Sequence, residues 1–164
     1  MLRRMGKDAL AEENVMQLTL YTDYSLRVLL YLGLVPERTA TITEIARAYG
    51  ISRNHLVKVV HNLSIHDFIQ TTRGRGGGIG LARPPEEIVI GDVVRHTEVN
   101  FNLVECFNRE LNTCPIAMAC VLKGTLHEAQ RAFMAVLDKN TLADVLTNSD
   151  WLRLALRTKT ALAS

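Results

Sequence analysis

The sequence predicts a mainly α-helical chain with a small β wing, and three observations carry that expectation. Apolar residues recur at helical spacing in several segments that open on threonine or serine and stop at glycine or proline. One short β-branched run is followed by a glycine-dense turn and a returning strand. Hydrophobic residues make up 48% of the chain but aromatics only 5%, so the core is expected to be aliphatic, as suits packed helices.

The first helix follows Thr22, a candidate N-cap, and runs through Leu26, Val28, Leu29, Leu30, Leu32 and Leu34 to a stop near Pro36. A second begins after Thr43 and covers Glu44–Tyr49 until Gly50 breaks it. Ser52 is placed to cap a third, from about Arg53 to Ile65, whose inner face is Leu56, Val59, Val60 and Leu63. Ile69–Arg73 reads as a strand, Gly74–Gly78 as a turn with Arg75 at its tip, and Ile79–Leu81 as the returning strand. Pro84 and Pro85 close this unit, and Asp92–His96 reads as another short helix.

The longest helical pattern spans Val121–Leu137. Its apolar residues Leu122, Leu126, Ala129, Phe133 and Val136 recur every three or four positions as one stripe. With little other chain to cover it, this stripe is expected to meet its twin in a homodimer. Thr141–Leu146 reads as a capped helical turn, and Trp151–Leu156 as a further helix with no assignable role. The expected organisation is an extension over 1–15, a DNA-binding unit over 16–84, a cysteine loop with dimerisation helix over 85–148, and a tail over 149–164.

Ile45, Ala46, Tyr49, Gly50, Ile51, Leu56 and Val59 match the spacing of a helix-turn-helix. The small side chain of Ala46 suits two helices crossing closely, and Gly50 suits a left-handed turn residue. On the opposite face of the third helix, Ser52, Arg53, Asn54, His55, Lys58 and Asn62 offer hydrogen bonds and positive charge to base edges and phosphates. Arg73 and Arg75, flanked by glycines, make a thin cationic loop that fits a minor groove or lies along phosphates. A nucleotide-cradling loop is excluded, because no Gly-Lys-Ser/Thr ends the glycines and no helix begins there. A helix-turn-helix followed by such a hairpin is a winged helix.

A net charge of +2 says little, but its distribution is informative. Residues 16–84 hold eight Lys/Arg against four Asp/Glu, whereas residues 85–164 hold eight against ten. The basic excess belongs to the half expected to bind double-stranded DNA. No apolar run is long enough to span a bilayer, and the first fifteen residues lack the apolar stretch of a secretory signal, so the expected location is cytoplasmic.

All three cysteines, Cys106, Cys114 and Cys120, fall within fifteen residues of the acidic half. Clustered thiols in a reducing compartment point to a thiophilic metal or an iron–sulfur cluster rather than to disulfides. A Cys3His zinc site using His96 or His127 is an alternative, although the spacing lacks the two-residue gaps of a zinc knuckle. A thiol-dependent enzyme pairing one cysteine with His96 or His127 is another, without a visible third group to orient the base.

At these residues the chain resembles the IscR/NsrR family of bacterial winged-helix regulators. The resemblance is carried by Met16–Thr19, Thr22–Tyr24, Ser52–Lys58, Arg73–Gly78 and Ile90–Arg95, and covers about 16–148. Met16 is thus a candidate start. Ser52–Lys58, Val94–His96, Leu103–Cys106 and Cys114–Cys120 are most similar to the family's nitric-oxide-sensing repressors. The resemblance implies that Cys106, Cys114 and Cys120 ligate an iron–sulfur cluster of [4Fe–4S] type. It implies a fourth ligand at Asp23, contributed by the other subunit of a homodimer. Otherwise Asp23 is an acidic residue favoured at a helix start. Lys123 stands where the [2Fe–2S] branch carries a histidine, which counts against that cluster. The implied function is repression at a pseudo-palindromic operator, with nitrosylation of the cluster releasing the DNA; an iron- or redox-responsive regulator of the same family is the alternative.

Overall fold

The computed structural model describes residues 17–74 and 77–162, and the first helix is the element on which the others converge. Helix α1 spans Leu20–Leu34 and buries Val28, Leu29 and Leu32. Its N-cap is Thr19, not Thr22: the Thr19 hydroxyl accepts the Thr22 N–H at 3.3 Å. Thr22 is instead fully buried in the first turn. The choice between the two threonines is fixed from far away. Glu98 Oε1 accepts the Thr19 N–H at 2.8 Å and its hydroxyl at 3.1 Å, holding Thr19 in the extended conformation a cap requires.

Helix α2 spans Ile42–Tyr49 and begins earlier than the sequence pattern suggests. Thr41 and Glu44 form a reciprocal capping box, so the first-turn amides find partners one residue before Ile42. Glu44 also pairs with Arg38 and accepts the Tyr31 hydroxyl at 3.0 Å, which ties the cap to α1. Gly50 takes the expected left-handed conformation at φ 69°, and the Ile51 N–H returns to Ala46 O at 3.0 Å. Helix α3 then spans Arg53–Ile65, with Ser52 in the N-cap position but making no side-chain capping bond.

Strands β1 (Ile69–Thr72) and β2 (Gly78–Leu81) form the antiparallel wing, in the register Ile69 with Leu81 and Thr72 with Gly78. Ala40 and Ile79 exchange backbone hydrogen bonds of 2.9 and 2.7 Å, so the wing is stitched to the segment entering α2. Phe68, Ile69 and Ile79 are buried and continue the core from Leu56, Val59 and Leu63 into the hairpin.

A 3-10 turn over Pro85–Glu87 leads to α4, Ile90–Thr97. A long loop with one 3-10 turn, Glu105–Phe107, carries the cysteines to α5, Val121–Asp138. Helix α6 covers Leu142–Val145 behind a second capping box, Thr141 with Asp144. Ile88, Val93 and Leu142 belong to the same hydrophobic core as Val28 and Leu56, so packing continues across Pro84–Pro85. Helix α5 differs from all of these: it rests on α4, and none of its side chains is buried. The last helix, α7, spans Ser149–Leu162 and docks on α2 and α1, where Arg153 Nε donates to Leu34 O at 3.0 Å. No helix among the described residues is long and apolar enough to cross a membrane.

Hydrogen bonds from Arg38, Tyr31 and the Thr41 backbone hold the Glu44 carboxyl below its ordinary pKa. Its stabilisation is therefore present above the ordinary glutamate value and is lost as pH falls through the lowered one. Glu44→Ala should cost ~1–2 kcal/mol in urea unfolding at neutral pH, through the lost capping box, and should make unfolding less dependent on pH in the acid range. A variant as stable as the parent at neutral pH would refute the assigned role.

Candidate nucleic-acid interface and cysteine loop

Helix α3 separates its two faces by period. Leu56, Val59, Val60 and Leu63 are buried, which turns Ser52, Arg53, Asn54, His55 and Lys58 outward, and all five are exposed. The first four occupy the N-cap and first turn, the part of a recognition helix that reaches base edges. Asn62 departs from the expected face: it is half-buried, and its Oδ1 is enclosed with no hydrogen-bond partner among the described residues. Arg73 is exposed where the wing leaves β1; Arg75 and Met16 lie outside the described residues.

The sequence pattern missed the contribution of α1 to this face. The Tyr21 hydroxyl donates to Lys58 O at 3.1 Å, and the Tyr24 ring lies against the His55 ring at 6.1 Å, 25° from parallel. One turn on, Arg27 sits 6.0 Å from the Tyr24 ring and 5.9 Å from that of Tyr49, whose hydroxyl burial pushes up to a pKa of about 12. Tyrosines at 21 and 24 stand three apart on the helix, which places them on one side, but only the fold reveals what they meet.

Asp23 lies in the first turn of α1. Its carboxylate takes two bonds from Arg27, Nε to Oδ1 at 3.0 Å and Nη2 to Oδ2 at 2.7 Å, a pair at helical spacing with both side chains part-exposed. Exposed pairs at this helical spacing contribute ~0.3–0.5 kcal/mol, and the two-bond geometry here is the stronger form of such a pair.

The cysteine loop is held by polar contacts. Cys106, Cys114 and Cys120 are free thiols of intermediate exposure. Phe107 stacks on His127 of α5 with centroids 3.7 Å apart and rings 5° from parallel, and Gln130 donates to Phe101 O. Glu105 Oε1 accepts both the backbone N–H of Thr113 and its hydroxyl, the latter at 2.7 Å, and these bonds lower the carboxyl's pKa. Asn108 and Asn112 turn the intervening chain through bonds to the amides of Glu110 and Cys114. Ala117 is buried between the last two cysteines, and Cys120 is the N-cap residue of α5.

Three free thiols in one loop are a donor set that fits a thiophilic cluster. Within one chain, however, no three His, Cys, Asp or Glu side chains among the described residues converge closely enough to hold a metal. The two histidines that zinc would need have other contacts. His96 lies 4.3 Å from the His66 ring and meets Asp92 O at 2.7 Å, while His127 stacks on Phe107.

The profile of the Rrf2 family, iron-dependent transcriptional regulators, matches residues 18–148. The HTH-type transcriptional regulator NsrR of Shouchella clausii is 55% identical over 146 residues, covering 88% of this chain and 98% of that one. The protein of the same name from Bacillus subtilis is 50% identical over 145 residues, with 88% and 99% covered. Among solved structures, T. potens IscR superposes with a TM-score of 0.66 over 82% of this chain and 88% of that one, at 24% identity, a likeness of fold.

On a duplex selected for binding, Lys58→Ala should weaken affinity equally across sequences and reduce the salt slope by about 1. Arg53→Ala should instead relax preference at one position, by about 1–3 kcal/mol. Binding titrations against a substituted duplex panel over a salt series distinguish the two, and a uniform loss for Arg53→Ala would remove it from base reading.

Proposed function

This chain belongs to the Rrf2 family of transcriptional regulators and is not an enzyme, and from that premise we propose a homodimeric repressor that releases operator DNA in response to nitric oxide. The observation that carries this reading is the identity of 50–55% to regulators named NsrR across nearly their whole length, together with three free thiols in one loop. Cys106, Cys114 and Cys120 would hold an iron–sulfur cluster, with the Asp23 carboxylate of a second copy completing a [4Fe–4S] site. When bound, the cluster supplies iron open to attack by nitric oxide.

The chain's own part is mechanical. Asp23 would give up its Arg27 partner to hold the cluster, and α1, which carries it, also carries Tyr21 and Tyr24 against α3. A force on the start of α1 therefore reaches Lys58 and His55. Two such helices reading successive major grooves, roughly 34 Å apart, form the operator contact together with Arg73 and Arg75. The family's description as iron-dependent favours a second reading, in which iron supply is the signal at the same site.

The second copy is expected on α5, whose Val121, Leu122, Phe133 and Val136 are 85%, 63%, 43% and 60% exposed. Exposed apolar side chains gathered on one helix mark a surface meant for a partner, and a two-fold axis lets the same stripe cover itself. Burying one such phenyl ring stabilises by ~1.5–3 kcal/mol, so Phe133→Asp should weaken dimerisation by at least about tenfold in sedimentation equilibrium. An unchanged dimer would place the interface elsewhere.

Anaerobically purified protein should show a broad visible absorption that nitric oxide alters in step with loss of operator binding. Cys114→Ala should lack both the absorption and the response. A variant whose DNA binding stays as sensitive to nitric oxide as the parent would reject the cluster as sensor, and a response to iron depletion alone would favour the second reading.

A further inference from the structure

Glu105 precedes Cys106, and Thr113 precedes Cys114. The Glu105 carboxylate takes both the amide and the hydroxyl of Thr113, so one side chain closes a loop around the residues between them. We propose that Glu105 is a positioning residue of the thiol site, whose clasp on Thr113 sets Cys106 and Cys114 beside one another before any metal arrives. The proposal rests on the reading of these cysteines as cluster ligands and extends it to a residue that does not itself touch the metal.

Three features of the loop support the assignment. Both hydrogen bonds converge on one carboxylate oxygen, Oε1, so a single side chain holds both donors of Thr113. The span between the two residues is shaped by asparagine turns, Asn108 to the amides of Glu110 and Leu111 and Asn112 to that of Cys114, so the clasp closes a chain already bent. The far side is fixed separately: the Phe107–His127 stack ties the residue after Cys106 to α5, the helix that Cys120 caps. Closing a flexible loop costs entropy that a ligand would otherwise have to offset on binding. A clasp made in the polypeptide lowers that cost, and fixes the spacing of the first two thiols.

The test uses full-length, metal-free protein in a Cys120→Ala background, so that only Cys106 and Cys114 remain. Dibromobimane, which becomes strongly fluorescent on bridging two nearby thiols, reports their proximity. Glu105→Ala and Thr113→Val should each slow bridging by roughly fivefold, the range expected for losing one or two hydrogen bonds. Thr113→Ser, which keeps both donors, should bridge at the parent rate. Circular dichroism should be unchanged, because both residues lie in an exposed loop outside the core. In the three-cysteine protein, Glu105→Ala should lower the iron and visible absorbance retained after anaerobic reconstitution, whereas Thr113→Ser should not.

Parent-like bridging in Glu105→Ala, or equal loss in Thr113→Ser and Thr113→Val, would overturn the clasp. Loss of cluster in Glu105→Ala with full retention in Thr113→Val would overturn it too, by making Glu105 a ligand. If the thiols bridge as expected but no variant or parent takes up a cluster, the clasp stands and the cluster reading falls.

Discussion

Helix α1 is the wall that the rest of the molecule shares. It packs against α2, α3 and the wing strand β2, and also against α4, α6 and α7. Its Val28, Leu29 and Leu32 are the apolar centre for both halves of the sequence. A helix so enclosed cannot shift without disturbing its neighbours, since close-packed interiors transmit displacement rather than absorb it. Its start is fastened to Glu98, at the end of α4 and the entrance to the cysteine loop, and its second turn faces the recognition helix. The entrance to the cysteine loop and the exposed face of α3 therefore meet along one rod.

The two parts are held by different physics. The recognition helix stands on a sealed aliphatic core, in which Leu56, Val59 and Leu63 are fully buried. The cysteine loop has Ala117 as its buried residue, and otherwise depends on the Glu105–Thr113 contact, the Gln130 bond to Phe101 O, asparagine turns and one aromatic stack. Segments with few buried apolar contacts open at low free energy, while core elements open only with the whole fold. A rigid reader and a compliant receiver suit a regulator, because the receiver can rearrange while the reading helix keeps its shape.

Much of this was legible in the sequence wherever a local rule decided the outcome. The period of Leu56, Val59, Val60 and Leu63 assigned the outward face of α3, and Gly50 marked the left-handed turn because few other residues tolerate it. The limits of α5 followed from its stripe. What failed to show was whatever depended on residues distant in the chain. Thr19 and Thr22 are equally good caps locally, and Glu98 decides between them. Thr41 rather than Thr43 caps α2, because its reciprocal bonds with Glu44 outweigh the nearer hydroxyl. Asn62 lies on the edge between the two faces of α3, where period alone assigns neither. The clasp joining Glu105 to Thr113 follows no repeat, since it is set by the path of an irregular loop.

The eighteen-residue helix α5, without a single buried side chain, has a consequence for how durable the protein is. In a folded protein most of a helix's stability comes from packing of its apolar side, and α4 covers this one only in part. A second copy covering it, as proposed above, would add its binding free energy to folding by mass action, and the melting temperature of this region would rise with protein concentration. Dilution would then loosen α5 first and, through the Phe107–His127 stack, the cysteine loop anchored on it. The abundance of the protein would thereby become a physical variable of the cysteine loop, acting on its order before any ligand is present.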